Sequence, residues 1–193
     1  MGWTEQIATH YKDGKIDRKA ECDAYFMEGL NEGYYRVEKS SMVGSTYYAA
    51  VTPLKRYKSS DHAVEDIPES ELNTFAVVFP THLRKWWFGY KPMSEDEHPY
   101  YHDCPISILN LLSETDNDWA NEWRNTCRKR HEESLKLDRM PIGTKIRVTL
   151  DHDGKEVIFE KMKCGKCVRF VNRDAGKYLP KSSILCHEFE AIT

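Results

Sequence analysis

With 193 residues, 40% of them hydrophobic and 31% charged, the chain can bury one generous core or two small ones, as a soluble globular protein does. No apolar run reaches the roughly 18–20 residues that span a bilayer. The opening MGWTEQIATHYKDGK has neither the apolar h-region of a signal peptide nor, with Gln6, the Ser or Thr that lipidation at Gly2 requires, so a cytoplasmic protein with no membrane association is expected. The formal net charge of −3 is unevenly placed: from Lys136 onward 12 Lys/Arg face 8 Asp/Glu, which leaves +4 there and −7 in the rest, as two units with different surfaces would.

In chain order, WTEQIATHYK reads as a short extended element closed by the turn dipeptide Asp13-Gly14. IDRKAECDAYFMEGL reads as a helix: Ile16, Ala20, Ala24 and Met27 recur at helical spacing, Asp17 is the N-cap, and Gly29 or Gly33 is the stop. Tyr34 to Val37 and Met42 to Val51, rich in Tyr and Val, read as strands broken at Ser40-Ser41. Residues 57–70 are polar, carry Pro68 and read as a surface loop. NTFAVVF and KWWFGYK are strand-like, with a tight connection expected at Thr81-His82.

Two helices follow. CPISILNLL places Pro105 at a first helical position, where its missing N–H costs nothing, and Ile108, Leu109 and Leu112 share a face. TDNDWANEWRNTCRKR has Asp116 and Asp118 in its first turn and Arg128, Lys129 and Arg130 in its last, matching the helix dipole, with Trp119, Ala120, Trp123 and Cys127 as one stripe. From Pro141 the pattern changes to short β-rich runs: TKIRVTL, KEVIFEKMK, CVRFVN, KYLP and ILCHEFEAI. Turn signals at Asp153-Gly154, Gly165 and Ala175-Gly176 separate them. The expected fold is α+β: an antiparallel sheet with packed helices over residues 1–132, then a small SH3-like β-barrel over 136–193.

The stretches MGWT, HYKDGKIDRKAECDAYF, SSMVGSTYYAAV, WFGYKPM and CPISILNLLSETDNDWANEWRNTCR together resemble a family, without established activity, found in gut bacteria, their phages and their conjugative elements. The resemblance covers roughly residues 1–130, with a weaker echo beginning at MPIGTKIRV. It implies a cytoplasmic accessory protein of a mobile element. Such proteins often act by binding, including on host defence systems, and that step is analogy.

Candidate chemistry begins with EHPYYHDCP. His98 and His102 are spaced i, i+4, but Pro99 and Pro105 oppose a helix there, and His102-x-Cys104 is tight for tetrahedral ligation. Asp103 or Cys104 as the cap of the next helix is the simpler assignment. The better metal signal is Cys164, Cys167, Cys186 and His187, which resemble half a zinc ribbon and make structural zinc the one cofactor in view; against it, Gly165-Lys166 fits a hairpin turn. The six cysteines are otherwise expected as free thiols.

Two binding surfaces are in view. Lys161, Lys163, Lys166, Arg169 and Arg173 surround a hairpin with Phe170, a basic face with an aromatic platform suited to nucleic acid or an acidic partner. Trp86-Trp87 point to opposite faces if both lie on a strand, so one of them is exposed unless helices cover one side of the sheet and a loop the other. An exposed Trp beside Tyr90 and Tyr100-Tyr101 would be a protein-binding anchor. Both DGK triplets read as turns rather than nuclease sites, Cys22 and His10 have no spacing that demands a thiol pair, and GxSxG, HExxH and GxGxxG are absent. The expectation is a non-catalytic binding protein of a phage or mobile element that engages a host protein or nucleic acid, a host defence nuclease among its targets. A nucleic-acid-binding accessory factor of the element comes second and a metal-dependent enzyme third.

Overall fold

The computed structural model describes residues 2–28, 33–58, 63–150 and 154–192, so Gly29 and Asp153, named above as stop and turn residues, lie outside the described residues. The chain divides into two compact units, Met1–Arg128 and Lys129–Thr193, each a mixture of helix and antiparallel sheet.

The first unit carries β1 (Thr4–Ile7), the two-residue strands β2 (Tyr11–Lys12) and β3 (Lys15–Ile16), and α1 (Arg18–Met27). Next come β4 (Tyr35–Val43), β5 (Thr46–Pro53), β6 (Lys55–Tyr57), β7 (Val64–Asp66), β8 (Phe75–Arg84) and β9 (Trp87–Tyr90). It closes with α2 (Ile106–Leu109) and the first part of α3 (Asp118–Arg139). The local causes are plain. Asp13 and Gly14, both at positive φ, make the β2–β3 turn, and the Asp17 carboxylate caps α1 by accepting from the N–H groups of Lys19 and Ala20.

Its main sheet has the order β1-β9-β8-β5-β4, all antiparallel. Strand β5 is central and buried on both faces, with only Pro53 partly exposed. Alternation sends Tyr47, Ala49 and Val51 to one side, where Cys22 and Phe26 of α1 pack with Phe79, Phe88 and Tyr90. Tyr48 and Ala50 face the other side, with Ala76 and Val78 of β8, Ile108 and Leu109 of α2, and Trp123 and Cys127 of α3. Each such large side chain withdrawn from water contributes about 1.5–3 kcal/mol before chain entropy is counted.

Several boundaries differ from expectation. Strand β4 runs through Ser40-Ser41, and the hairpin turns at Gly44-Ser45, where Gly44 supplies the positive φ. Strand β8 runs through Thr81-His82 to Arg84, and the chain reverses at Lys85-Trp86, inside the run read as one strand. The polar stretch after Leu54 holds the β6–β7 hairpin, tied by Arg56 to Glu65 and Glu71. The cap before α2 is Pro105, without a side-chain bond, not Asp103 or Cys104. Trp119 leaves the expected stripe: it is 54% exposed, its ring met edge-on by His98.

Helix α3 does not stop at Arg130 but runs to Arg139, because His131-Glu132-Glu133 contains no breaker and Leu137 is needed in the second core. In the second unit β10 (Lys145–Leu150), β11 (Lys155–Cys164), β12 (Cys167–Asn172), β13 (Lys177–Leu179), α4 (Lys181–Ile184) and β14 (Glu188–Ile192) form a sheet of order β13-β12-β11-β10-β14. No closed barrel is found among the described residues. Leu137, Ile146, Val148, Phe159, Phe170 and Ile184 are its core. ILCHEFEAI is therefore not one strand: Ile184 ends α4 and pairing resumes at Glu188. No helix among the described residues is long and apolar enough to cross a membrane.

Candidate functional site: an uncovered aromatic sheet face

Helices α2 and α3 cover one face of the main sheet only over β5 and the start of β8. The same face continues outward. Strand alternation and the ladders Arg84↔Trp87, His82↔Gly89, Glu5↔Gly89 and Ile7↔Trp87 place His82, Arg84, Trp87, Gly89, Glu5 and Ile7 on it together. Here the apolar side chains stay in solvent: Ile7 is 62% exposed, Trp87 43%, and Trp3, just before β1, 52%. Trp86, in the turn, is 69% exposed, and its carbonyl accepts from the Ala8 N–H at 2.9 Å.

The centre of this patch is ordered. A Cβ at position 89 would run into the His82 imidazole, so Gly89 is what lets that ring lie against the strand. His82 Nε2 meets Glu5 Oε1 at 2.8 Å, and Trp3 packs edge-on to the imidazole with ring centroids 4.7 Å apart. The result is a polar His–Glu hydrogen-bonding centre held between exposed aromatic and aliphatic groups. Interfaces with hot spots combine the same features.

Of the aromatic residues singled out in the sequence, Trp86 and Trp87 share this hairpin and Tyr90 does not join them. Tyr90 packs into the opposite core against Phe79 and Phe88, where burial raises its phenol pKa. Tyr100 and Tyr101 are exposed at the approach to α2, and the Tyr101 carbonyl accepts from Trp123 Nε1 at 3.0 Å. In the same segment Cys104 is buried and its thiol pushed well above the ordinary range by that burial, and the Asp103 N–H donates to the Tyr48 hydroxyl.

The basic hairpin is half dismantled by its own register. Lys161↔Phe170 is a cross-strand pair on the core side of the sheet. Phe170 is 1% exposed and so is no stacking platform. Lys161 is 5% exposed, and its ammonium donates to the carbonyls of Leu137, Asp138 and Met140 at 2.6–2.9 Å, satisfying the C-terminus of α3. Arg173 pairs with Glu160. Lys163 and Lys166 stay exposed, while the Arg169 guanidinium sits 4.4 Å from the ring centre of Tyr178, itself 58% exposed.

The metal quartet is not assembled. Cys164 and Cys167 face each other across the Gly165-Lys166 turn, and Cys186 lies against the Arg130 guanidinium. Among the described residues no group of three or more His, Cys, Asp or Glu is placed to hold a metal ion, and this applies to His98, His102 and Cys104 as well. Cys22 is no partner for His10: it is 1% exposed and burial raises its pKa strongly, while His10 stands beside the buried Glu21 carboxylate. Glu21 instead accepts from the N–H groups of Thr9 and His10 and anchors the chain after β1.

Trp3, Glu5, Ile7 and His82 were not singled out by sequence reasoning. A signal was present in Gly89, since a lone glycine inside a strand marks a place where another group comes close. Comparison with known protein families, curated proteins and solved structures finds no match.

Proposed function

We propose that this chain is a non-catalytic binding protein that engages a host protein through the face bearing Trp3, Ile7, His82 and Trp87, with Trp86 at its rim. One observation carries the reading. A sheet face that α2 and α3 bury at β5 is left in solvent at β9 and β1, yet keeps large apolar residues there. The family resemblance supplies the context, an accessory protein of a phage or mobile element in the cytoplasm, with a host defence nuclease among the targets that context implies. A photo-crosslinking residue at position 86, used in cells of the natural host, tests it. A specific adduct is expected that is lost in the Ile7→Glu/Trp87→Ala variant and kept in Trp119→Ala. Equal capture by both variants would reject this face.

A second reading belongs to the second unit. Its four-strand meander, a helical turn and a last strand returning beside the first follow the connectivity of SH3-like barrels, which supports that finer description. Arg169 over Tyr178, beside Lys163 and Lys166, offers a cationic and aromatic surface for nucleic acid in place of the one expected around Phe170. A salt-sensitive shift of labelled DNA, abolished by Lys163→Glu/Lys166→Glu/Arg169→Glu, is the expected result. No shift at low salt removes this reading.

A further inference from the structure

A cavity of about 500 Å³ opens in the first unit, on the face of the sheet opposite the exposed patch. Five aromatic residues line it. Phe26 and Phe79 are fully buried and stack with centroids 5.6 Å apart, while Tyr25 meets Phe79 edge-on at 5.2 Å. Tyr25, Tyr35 and Phe75 are only partly buried and offer ring surface to the space. The volume lies in the range of pockets that take small organic molecules.

The polar lining has one sign. Glu95, Asp96 and Glu97 line the cavity, and among the described residues no Lys, Arg or His does. Glu95 is already answered by a buried, two-pronged pair with Arg124, at 2.7 Å to Nε and 2.5 Å to Nη2. Asp96 and Glu97 are exposed and accept only from Ser94 within their own turn, with no cationic partner among the described residues. The first turn of α3 also borders the space, but the Asn117 side chain already accepts from the Ala120 N–H there, so that helix end offers an anion little.

Ring faces carry negative potential and attract a cation set over them, most strongly one that sheds its water easily. We propose that this cavity binds a small organic cation, a substituted ammonium whose apolar groups meet Tyr25, Tyr35 and Phe75 and whose charge is balanced by Asp96 and Glu97. The site is separate from the aromatic sheet face and stands or falls independently of it.

Ligand-detected NMR and calorimetry on the full chain test the proposal, with choline and phenethylammonium as probes against neutral isosteres, 3,3-dimethylbutan-1-ol and 2-phenylethanol. The cations are expected to bind at least about tenfold more tightly than the isosteres. Asp96→Asn/Glu97→Gln should remove that preference while the unfolding midpoint is kept, and Tyr35→Leu should weaken the cations selectively. Trimethyl-lysine peptides form a second arm: tighter binding than choline assigns the cation to a protein side chain, and equal or weaker binding assigns it to a free amine. Equal affinity for cation and isostere, or no binding by either cation or peptide at millimolar concentration, overturns the proposal.

Discussion

Lys161 shows how one residue changes meaning with its surroundings. In the sequence it is one of a run of cations, and in the fold its ammonium closes the end of a helix. Replacing it with Met leaves three carbonyls without their donor and should cost about 2 kcal/mol, read as a lower denaturant midpoint. Lys166→Glu, on an exposed turn, should change stability by less than about 0.5 kcal/mol. Arg124 and Glu95 are another residue-scale case. Both are nearly excluded from solvent, so Glu95→Ala strands a buried guanidinium and should cost about 3–5 kcal/mol. Pairing it with Arg124→Met should restore much of that loss, because neither charge then remains buried alone. The thiols divide by burial: Cys164, Cys167 and Cys186 should react with a maleimide in the native state, and Cys22, Cys104 and Cys127 only after unfolding.

At the scale of elements, the β8–β9 hairpin and the edge strand β4 carry the informative irregularities. Gly89→Ala forces the His82 ring away from the strand and breaks its contacts with Glu5 and Trp3. Because that ring is part-exposed and can swing into solvent, the expected change in stability is under about 1 kcal/mol, with a changed His82 imidazole resonance in NMR as the local sign. In β4 the register slips between Val37 and Lys39, leaving Glu38 as the extra residue of a bulge. Its carboxylate accepts from Thr52 Oγ1 and then from Arg36, and those bonds hold its pKa below the ordinary value. A lowered folded-state pKa stabilises the protein above the unfolded carboxylate value, about 4.3, and that contribution disappears as pH falls through the folded one. Urea midpoints for Glu38→Gln should therefore fall less steeply with acid below about pH 4.5 than those of the parent.

For the molecule as a whole, the two units can be followed separately because all five tryptophans lie in the first. Tryptophan fluorescence reports on the sheet packed by α1, α2 and the start of α3, while far-ultraviolet dichroism sees both units. Glu95→Ala should lower the fluorescence transition, and Lys161→Met should lower the dichroism transition with little effect on fluorescence. Equal movement of both signals in both variants would mean that the units unfold as one.

By itself the sequence determined the local elements whose causes are local: the capped α1, the glycine-marked turns, the two helices after Pro105 and the change to short strands near residue 141. It also marked Trp86 and Trp87 as worth watching. Tertiary structure decided what depended on register and on the far side of the chain. A four-residue shift in where β8 turns, from Thr81-His82 to Lys85-Trp86, moved Trp86 off the strand. Cross-strand pairing turned Lys161 and Phe170 inward. The need to bury Leu137 carried α3 past its apparent end. The face shared by Trp3, Ile7, His82 and Trp87, and the cavity under Tyr25 and Phe75, gather residues far apart in sequence. No periodicity within one segment can specify such groupings, because the pairing of strands brings them together.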